Sequence, residues 1–431
     1  MESVWSKSVE LPNFESLNED KKTDVLIIGG GITGILCAYM LKNAGLDCVV
    51  VEADRICRGV TQYTTAKITC QHGLLYDKII SEYGKDTAEG YYLAQNTALD
   101  KYKELCENID CDFKTCSSFV YTRNDRKKLE KEVEALNKIG CTTDFYEKVP
   151  LPFSTKGAIE MKNQAQFNPL KFLSEISKEL TIYENTKVTD LVPGGAVTNH
   201  GKIKAESIIV ATHFPFLNKH GGYFLKLYQY RSYEIALNGA ALFDDVYVDE
   251  NDRGMSFRSY NGMLLVGGGG HRTGKNGGNW QELSDFAKKY YPKASEVGRW
   301  ATQDCMSLDK IPYIGKYSKN TPNLYVATGF SKWGMTGSMT SAIILCDLIC
   351  GKQNPYADIF SPQRRSLFPQ LAINGAEAVL SLLTPTVPRC PHMGCALKYN
   401  KAEHTWDCPC HGSRFEKDGR LINNPATDDK K

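Results

Sequence analysis

Four residues near the end of the chain are of types that bind metal. Cys390 and His392 form a Cys-x-His pair and Cys408 and His411 a Cys-x-x-His pair, with fifteen residues between the pairs. Spacing this short lets one loop bring a thiolate and an imidazole to the same centre, and two such loops complete a four-donor site. A tetrahedral zinc would accept that set, and so would an iron–sulfur centre. Cys395 and Cys410 in the same stretch would also allow an all-thiolate centre from Cys390, Cys395, Cys408 and Cys410. The other eleven of the fifteen cysteines are scattered, mostly in apolar contexts, and read as core or surface thiols. Cys106, Cys111 and Cys116 recur every five residues, a period that suits neither one helix face nor a ligand set.

A second chemical signal lies at the other end. "TDVLIIGGGITGILCAYMLKNAGLDCVVVEAD" reads as strand, glycine turn, helix and strand. Val25–Ile28 is a short apolar run, and Gly29, Gly31 and Gly34 supply G-x-G-x-x-G. Ile35, Leu36, Met40 and Leu41 give a helical apolar stripe, and Val49–Val51 ends at Glu52, where a ribose ligand is expected. Glycines are needed because a backbone without Cβ lets a pyrophosphate approach the helix N-terminus, whose dipole and free N–H groups favour it. The turn alone does not choose between FAD and NAD.

Around these two signals the chain is ordinary. Its 431 residues, 42% hydrophobic, suffice for two or three domains. Lysine plus arginine number 52 against 50 aspartate plus glutamate, so no nucleic acid or other polyanionic partner is implied. The polar start lacks the apolar core of a signal peptide, and no apolar run approaches a membrane span. The expectation is a soluble, cytoplasmic protein. "DRKKLEKEVEALNKIG" (125–140) reads as an amphipathic helix with a solvated face.

Three later stretches point to FAD. "GVTQYTTAKITCQHG" (59–73) is rich in small hydroxyl residues, as a loop wrapping a diphosphate and an isoalloxazine would be; "SIIVATHF" (207–214) is a buried strand ending in Ala211-Thr212. "PNLYVATGFSKWGMTGSMTSAIILCDLICG" is strand, glycine loop and helix, whose opening Gly334-Met335-Thr336 would aim N–H groups at a flavin pyrimidine. These stretches, with "RWATQDCMSLDKIPYIG" (299–315), resemble the D-amino-acid oxidase-like family of FAD oxidoreductases over roughly residues 20–360. The resemblance implies a discontinuous α/β, Rossmann-like FAD domain of about 20–100, 165–215 and 300–360, with an α+β substrate domain of about 100–165 and 215–300.

It also implies cofactor contacts. From the first turn these are Gly29, Gly31, Ile32, Thr33 and Gly34, with Glu52 and Ala53 after the second strand. From the hydroxyl-rich loop they are Gly59, Thr61, Thr64 and Thr65, and from the later segments Val188, Thr212, Gly329, Gly334, Met335 and Thr336. In the middle, "YQYRSYEIALNG" and "MSFRSYNGMLLVGGGGHRTGK" alternate as strands of a sheet over a flavin would. Arg231, Tyr233, Arg258 and His271 are the polar residues expected to face the pocket, and Tyr233, Arg258 and His271 join Lys67 as catalytic candidates. Lys67 and His72 lie in the loop expected near the ring, with Lys67 the first candidate for a charge tuning the flavin N5. Gly267–Gly270 is not a second dinucleotide site, because no helix pattern or acidic partner follows it.

The C-terminal pattern "CPHMGC…WDCPCHGSRF…DG…NPA" resembles the Rieske iron–sulfur family. The resemblance makes Cys390, His392, Cys408 and His411 the ligands of a [2Fe-2S] cluster. Imidazoles on one iron leave such a cluster easier to reduce, at about −150 to +300 mV. It also pairs Cys395 with Cys410 in a disulfide and lets Ser413 hydrogen-bond a cluster sulfur. Phe415 stands where high-potential members carry tyrosine, which implies a lower potential here. Too few residues precede Cys390 for the strands of a full Rieske domain, so a small β-rich module (386–431) is expected after a linker (361–385), resting on the flavoprotein.

The combination looks like FAD-dependent oxidoreductases carrying a C-terminal Rieske domain. It implies dehydrogenation of an amine or amino acid, with electrons passing from FAD to the cluster and on to a one-electron acceptor, a protein or a quinone. An electron-transfer flavo-iron–sulfur protein, or a reductase running electrons from cluster to flavin, is the alternative.

Overall fold

In the computed structural model, residues 2–217, 220–364, 369–385 and 388–430 are described. The strand Lys21–Ile28 occupies the middle of an eight-stranded sheet, parallel to Cys48–Val51 on one side and to Lys202–Val210 on the other. Thr181–Tyr183 and Leu324–Thr328 extend the parallel run, and Tyr313–Lys316 closes one edge antiparallel. Near-continuous apolar runs such as "VLII", "CVVV" and "SIIV" suit strands buried on both faces. Leu26, Ile27, Val50, Ile209 and Val326 are fully buried. The helices Ile32–Asn43 and Gly334–Ile349 pack side by side, joined by the Thr33 and Ser338 hydroxyls at 2.8 Å.

The second sheet has nine strands, in the order Ser295–Ser307, Leu227–Asn238, Met263–Arg272, Ser256–Tyr260, Val246–Asp249, Lys114–Thr122, Gly157–Gln166 and Lys67–Ile68, with Asp144–Tyr146 paired to Gly157–Gln166. The first two strands of that order and Met263–Arg272 form one antiparallel surface. Glu403 and the cysteine pairs belong to a third, four-stranded antiparallel unit of Lys398–Asn400, Thr405–Asp407, Arg414–Phe415 and Leu421–Asn423. The stretch 361–385, expected as a linker, contains the helix Pro369–Leu383, whose Ala378 packs on the small core of that unit. The N-terminal segment is folded in as well. Trp5 is fully buried and donates its indole N–H to the Thr64 carbonyl at 2.7 Å.

Candidate functional site

A cavity of about 1300 Å³ runs between the first two sheets. At its first wall the chain leaves Ile28, turns through the glycines and enters the Ile32 helix. That helix has no side-chain cap, its Ile32 N–H going to Thr61 Oγ1 at 3.1 Å. The Gly334 helix is likewise uncapped, and Gly334 and Met335 line the same cavity. Two helix starts, of which only the Ile32 N–H has a side-chain partner, thus open onto one space, the polarity an anionic ligand requires. Glu52 Oε2 accepts from Gly30 N at 2.7 Å and Oε1 from Asp54 N at 3.0 Å, which fixes the carboxylate at the end of the second strand.

Of the expected cofactor contacts, Gly29, Gly31, Ile32 and Thr33 line the cavity, as do Glu52, Ala53 and Gly59. Thr61, Thr64, Thr65, Val188 and Thr212 also do. Gly34, Gly329 and Thr336 do not, and of these Gly34 and Thr336 act behind the wall. A Cβ on Gly34 would stand 1.9 Å from the Gly29 carbonyl oxygen, so Gly34 lets the helix close on the turn. Thr336 Oγ1 donates to the Thr69 carbonyl at 3.2 Å and lies 3.1 Å from His72 Nε2, tying the hydroxyl-rich loop to the second helix. His72 is stacked on Trp333 and burial pushes its imidazole down to about 3, so it stands neutral in the wall. The uncapped helix starts, the glycine cradle and the cavity's size fit an FAD.

The opposite wall comes from the second sheet, and here the expected residues need correction. Arg231 and Tyr233 point away from the cavity, to the outer face of their strand. Arg231 Nε donates to Glu403 Oε1 at 3.0 Å, and the Tyr233 hydroxyl donates to the same oxygen at 2.9 Å. His271 lies 3.0 Å from the Tyr233 hydroxyl and 3.1 Å from Asn279 Oδ1, also outside the cavity. Arg258 lies under the loop, donating to the carbonyls of Thr65, Ala66 and Phe167 with its guanidinium over the Trp5 ring. The cause is the two-residue period of a strand: the residues between, Ser232 and Glu234, are the ones that line the cavity.

Lys67 does line the cavity, donating to Ser256 Oγ at 3.2 Å. Burial lowers the Lys67 ammonium and raises the Glu234 carboxyl, and each charge partly holds the other against that. Glu234 Oε2 is buried with no hydrogen-bond partner, and Asp304, also on the wall, accepts from the Ser232 hydroxyl at 3.1 Å. Burial raises the Asp304 carboxyl too. Glu234, Asp304 and Ser256 were missed in the sequence, although one signal was present. The Gly267–Gly270 run makes room for Glu234, since a Cβ on Gly267 would stand 2.2 Å from Glu234 Oε1. Lys128 and Lys131, expected on a solvated helix face, reach the cavity lining.

The metal-ligand candidates converge in the third unit. Two loops repeat one geometry. Cys390 N donates to Cys395 O at 2.9 Å and Gly394 N to Cys390 O at 2.9 Å. In the other loop Cys408 N donates to Ser413 O at 2.9 Å and Gly412 N to Cys408 O at 3.0 Å. Gly394 and Gly412 take φ of 77° and 86°, which turns each loop back on its cysteine. The Nδ1 atoms of His392 and His411 lie 3.3 Å apart, and the Cys390 and Cys408 thiols share a hydrogen bond that lowers the first and raises the second. Burial pushes the imidazoles down to about 4 for His392 and about 3 for His411, so both are neutral, as ligands must be. Cys395 and Cys410 are bonded to each other, which removes them as ligands and excludes the all-thiolate set. Two thiols and two neutral imidazoles from paired loops fit a [2Fe-2S] centre of mixed ligation.

The unit sits on the outer face of the second sheet. Arg272 donates to the carbonyls of Pro409 and Cys410, at 3.3 and 3.2 Å, and Gln303 Nε2 donates to Gly412 O at 2.9 Å. Glu403 is the hub, receiving Arg231, Tyr233 and Arg414. The strand Leu227–Asn238 therefore has the cavity on one face and the cysteine–histidine unit on the other. Among the described residues, no helix is long and apolar enough to cross a membrane.

A family model for FAD dependent oxidoreductases (DAO) matches residues 24–348, and one for the Rieske [2Fe-2S] domain matches residues 383–430. Over 491 aligned positions the chain is 35% identical to a Bacillus subtilis (strain 168) protein named for a Rieske 2Fe-2S iron-sulfur centre, YhfW, covering 99% of this chain and 96% of that one. It is 24% identical over 371 positions to the gamma-glutamylputrescine oxidoreductase of Escherichia coli (strain K12), covering 78% and 86%. The solved structure of glycine oxidase from Geobacillus kaustophilus shares the fold with a TM-score of 0.68 at 17% identity, covering 80% of this chain and 100% of that one.

Proposed function

The chain belongs to the family of FAD-dependent oxidoreductases and ends in a Rieske [2Fe-2S] domain, and from that premise we propose that it dehydrogenates an amine or amino acid and passes the electrons through its C-terminal module to an external one-electron acceptor. In this reading the first sheet is the core of the FAD domain and the second that of the substrate domain. The observation that carries it is the strand Leu227–Asn238, with Ser232 and Glu234 facing the cavity and Arg231 and Tyr233 holding the module. Bound FAD supplies two-electron chemistry and the [2Fe-2S] cluster one-electron transfer, a mismatch that makes their union useful.

The chain's own residues have three tasks. Glu234 and Asp304, carboxyls buried where a cation would relieve them, receive the substrate's ammonium. Lys67, whose burial favours the neutral amine, takes a proton from it, because only the neutral substrate amine can be oxidised. Cys390, His392, Cys408 and His411 hold the cluster, with Ser413 at its sulfur side. The Escherichia coli relative, an oxidoreductase named for gamma-glutamylputrescine, supports the amine class. Anaerobic mixing with a panel of amines and amino acids tests the proposal. One class should bleach the flavin absorption, and turnover should need a one-electron acceptor more than oxygen. Bleaching by none of the panel, with the protein loaded with both cofactors, would count against it.

A further inference from the structure

The cavity wall that carries Val188 and Thr212 does not end with the first sheet. The last residues of the C-terminal module, from Arg420 to Asp429 apart from Pro425, line the same cavity. Asn424 Nδ2 donates to the carbonyls of Thr212 and Phe214, each at 2.7 Å, and the Asn424 carbonyl accepts from Gln229 Nε2 at 3.0 Å. Further along, Lys187, which precedes Val188, donates to the Thr427 carbonyl. Between these points Ala426 is buried, and its N–H goes to Ser413 Oγ at 3.0 Å, which links the segment to the second ligand loop. The module's tail thus bridges two pieces of the wall that are far apart in sequence.

We propose that the Rieske module is a structural part of the FAD site: its 420–429 segment closes the cavity at Thr212 and Val188, so FAD binding and module docking stabilise each other. A wall made by one domain alone would leave FAD affinity indifferent to the module. Here Asn424 is a second donor to both carbonyls, beside the Phe214 N–H on Thr212 and the Thr212 hydroxyl on Phe214. Loosening it takes one hydrogen bond from each and opens a side to the cavity. The coupling is reciprocal by thermodynamic necessity, so FAD must hold the module in place as firmly as the module holds FAD. The inference rests on FAD occupying the cavity. It is indifferent to the substrate and to the direction of electron flow.

The test uses the full chain freed of FAD with its cluster in place, titrated with FAD while flavin fluorescence is followed. Asn424→Ala should weaken FAD binding about tenfold, relative both to the unaltered chain and to Lys417→Ala, an exposed change on the same module outside the cavity lining. The cluster's visible absorption should be unchanged in both. In the unaltered chain, saturating FAD should slow the loss of cluster iron to a chelator, because it holds the module docked. If Asn424→Ala fails to keep its cluster, the chelation measurement decides alone. FAD affinity within about twofold of the unaltered chain, with the cluster retained, or chelation indifferent to FAD, overturns the proposal. An unaltered chain that binds no FAD at all would instead overturn the flavin reading of the cavity.

Discussion

The two candidate sites of this chain are built on opposite plans. The cavity takes its wall from Ile28 through to Asp429, from both large sheets and the C-terminal module. The cluster site draws its four donors from two loops between Cys390 and His411, each folded by its own backbone bonds. A site made of four side chains is lost when one is lost, whereas a site spread over many segments loses only a fraction at each. The largest expected effect follows from that contrast. Cys408→Ser should take iron and acid-labile sulfide from two each per chain to none, as a cluster cannot keep its buried iron on one thiolate. FAD should still bind when supplied in excess, because the glycine turn, Glu52 and both helix starts lie outside the module. Metal analysis decides it, and iron retained at full stoichiometry would break the contrast.

The next effect lies where the two sites are joined. Glu403 is almost wholly buried between Arg231 and Arg414. Burial alone would raise its carboxyl, but the two guanidiniums outweigh it and hold it down at about 2. Against an ordinary glutamate near 4.3, a carboxyl depressed this far contributes stability that is fully present above the unfolded value and fades as pH falls toward the folded one. The difference is worth about 3 kcal/mol at neutral pH. Glu403→Gln should therefore lower the module's melting transition clearly at pH 7, and the gap from the unaltered chain should close as the pH approaches 2. A gap that stays constant across that range would show that packing rather than charge makes the joint.

The same joint explains what was and was not legible in the sequence. The glycine turn, Glu52 and the cysteine–histidine loops could be read because each is a local pattern whose chemistry is set by neighbours in the chain. Arg231 and Tyr233 face away from the cavity because the strand Leu227–Asn238 is polar on both sides, and His271, on the neighbouring strand Met263–Arg272, follows Tyr233 to that outer face. One side meets the cavity and the other meets Glu403, which comes from the far end of the chain. Periodicity shows that a strand has two faces, but only tertiary contact shows which face holds a ligand. Arg258 was misread for a related reason. A guanidinium that donates to the carbonyls of Thr65, Ala66 and Phe167 is a brace for a loop, and those partners are invisible in sequence.

Within the cavity the contrast predicts graded losses. Lys67→Met should slow substrate bleaching of the flavin about a hundredfold, the usual worth of a positioned base. Because burial lowers the Lys67 ammonium, its neutral form prevails above a pKa below the ordinary lysine range. The bleaching rate of the unaltered protein should rise with pH through that ionisation, and in the variant the rise should move to the substrate amine's own, higher ionisation. Gly31→Ala should cost less. The new Cβ would stand 3.3 Å from Thr61 Oγ1, a tight fit without collision, so FAD affinity should fall about tenfold and not vanish. Complete loss of FAD from so small a change would mean the cavity is as fragile as the cluster site.

The smallest effect tests how finely the cluster's surroundings are tuned. Phe415 is fully buried in the core that holds Cys390 and Cys408, and it stands where high-potential Rieske proteins carry tyrosine. After the Cys408 thiol, the Ser413 hydroxyl is among the groups that lower the Cys390 thiol. A reduced cluster carries one more negative charge than an oxidised one, so every donor aimed at its sulfurs favours reduction. Phe415→Tyr adds one donor, and a net hydrogen bond of about 1 kcal/mol corresponds to a rise of about 40 mV for a one-electron couple. Ser413→Ala should lower the potential by a similar amount, though it also removes the acceptor for the Ala426 N–H and so also loosens the tail. A redox titration of the cluster's reduced-state signal separates the two. If Phe415→Tyr leaves the potential where it was while Ser413→Ala lowers it, the added hydroxyl does not reach the sulfur, and the potential is tuned from the serine side alone.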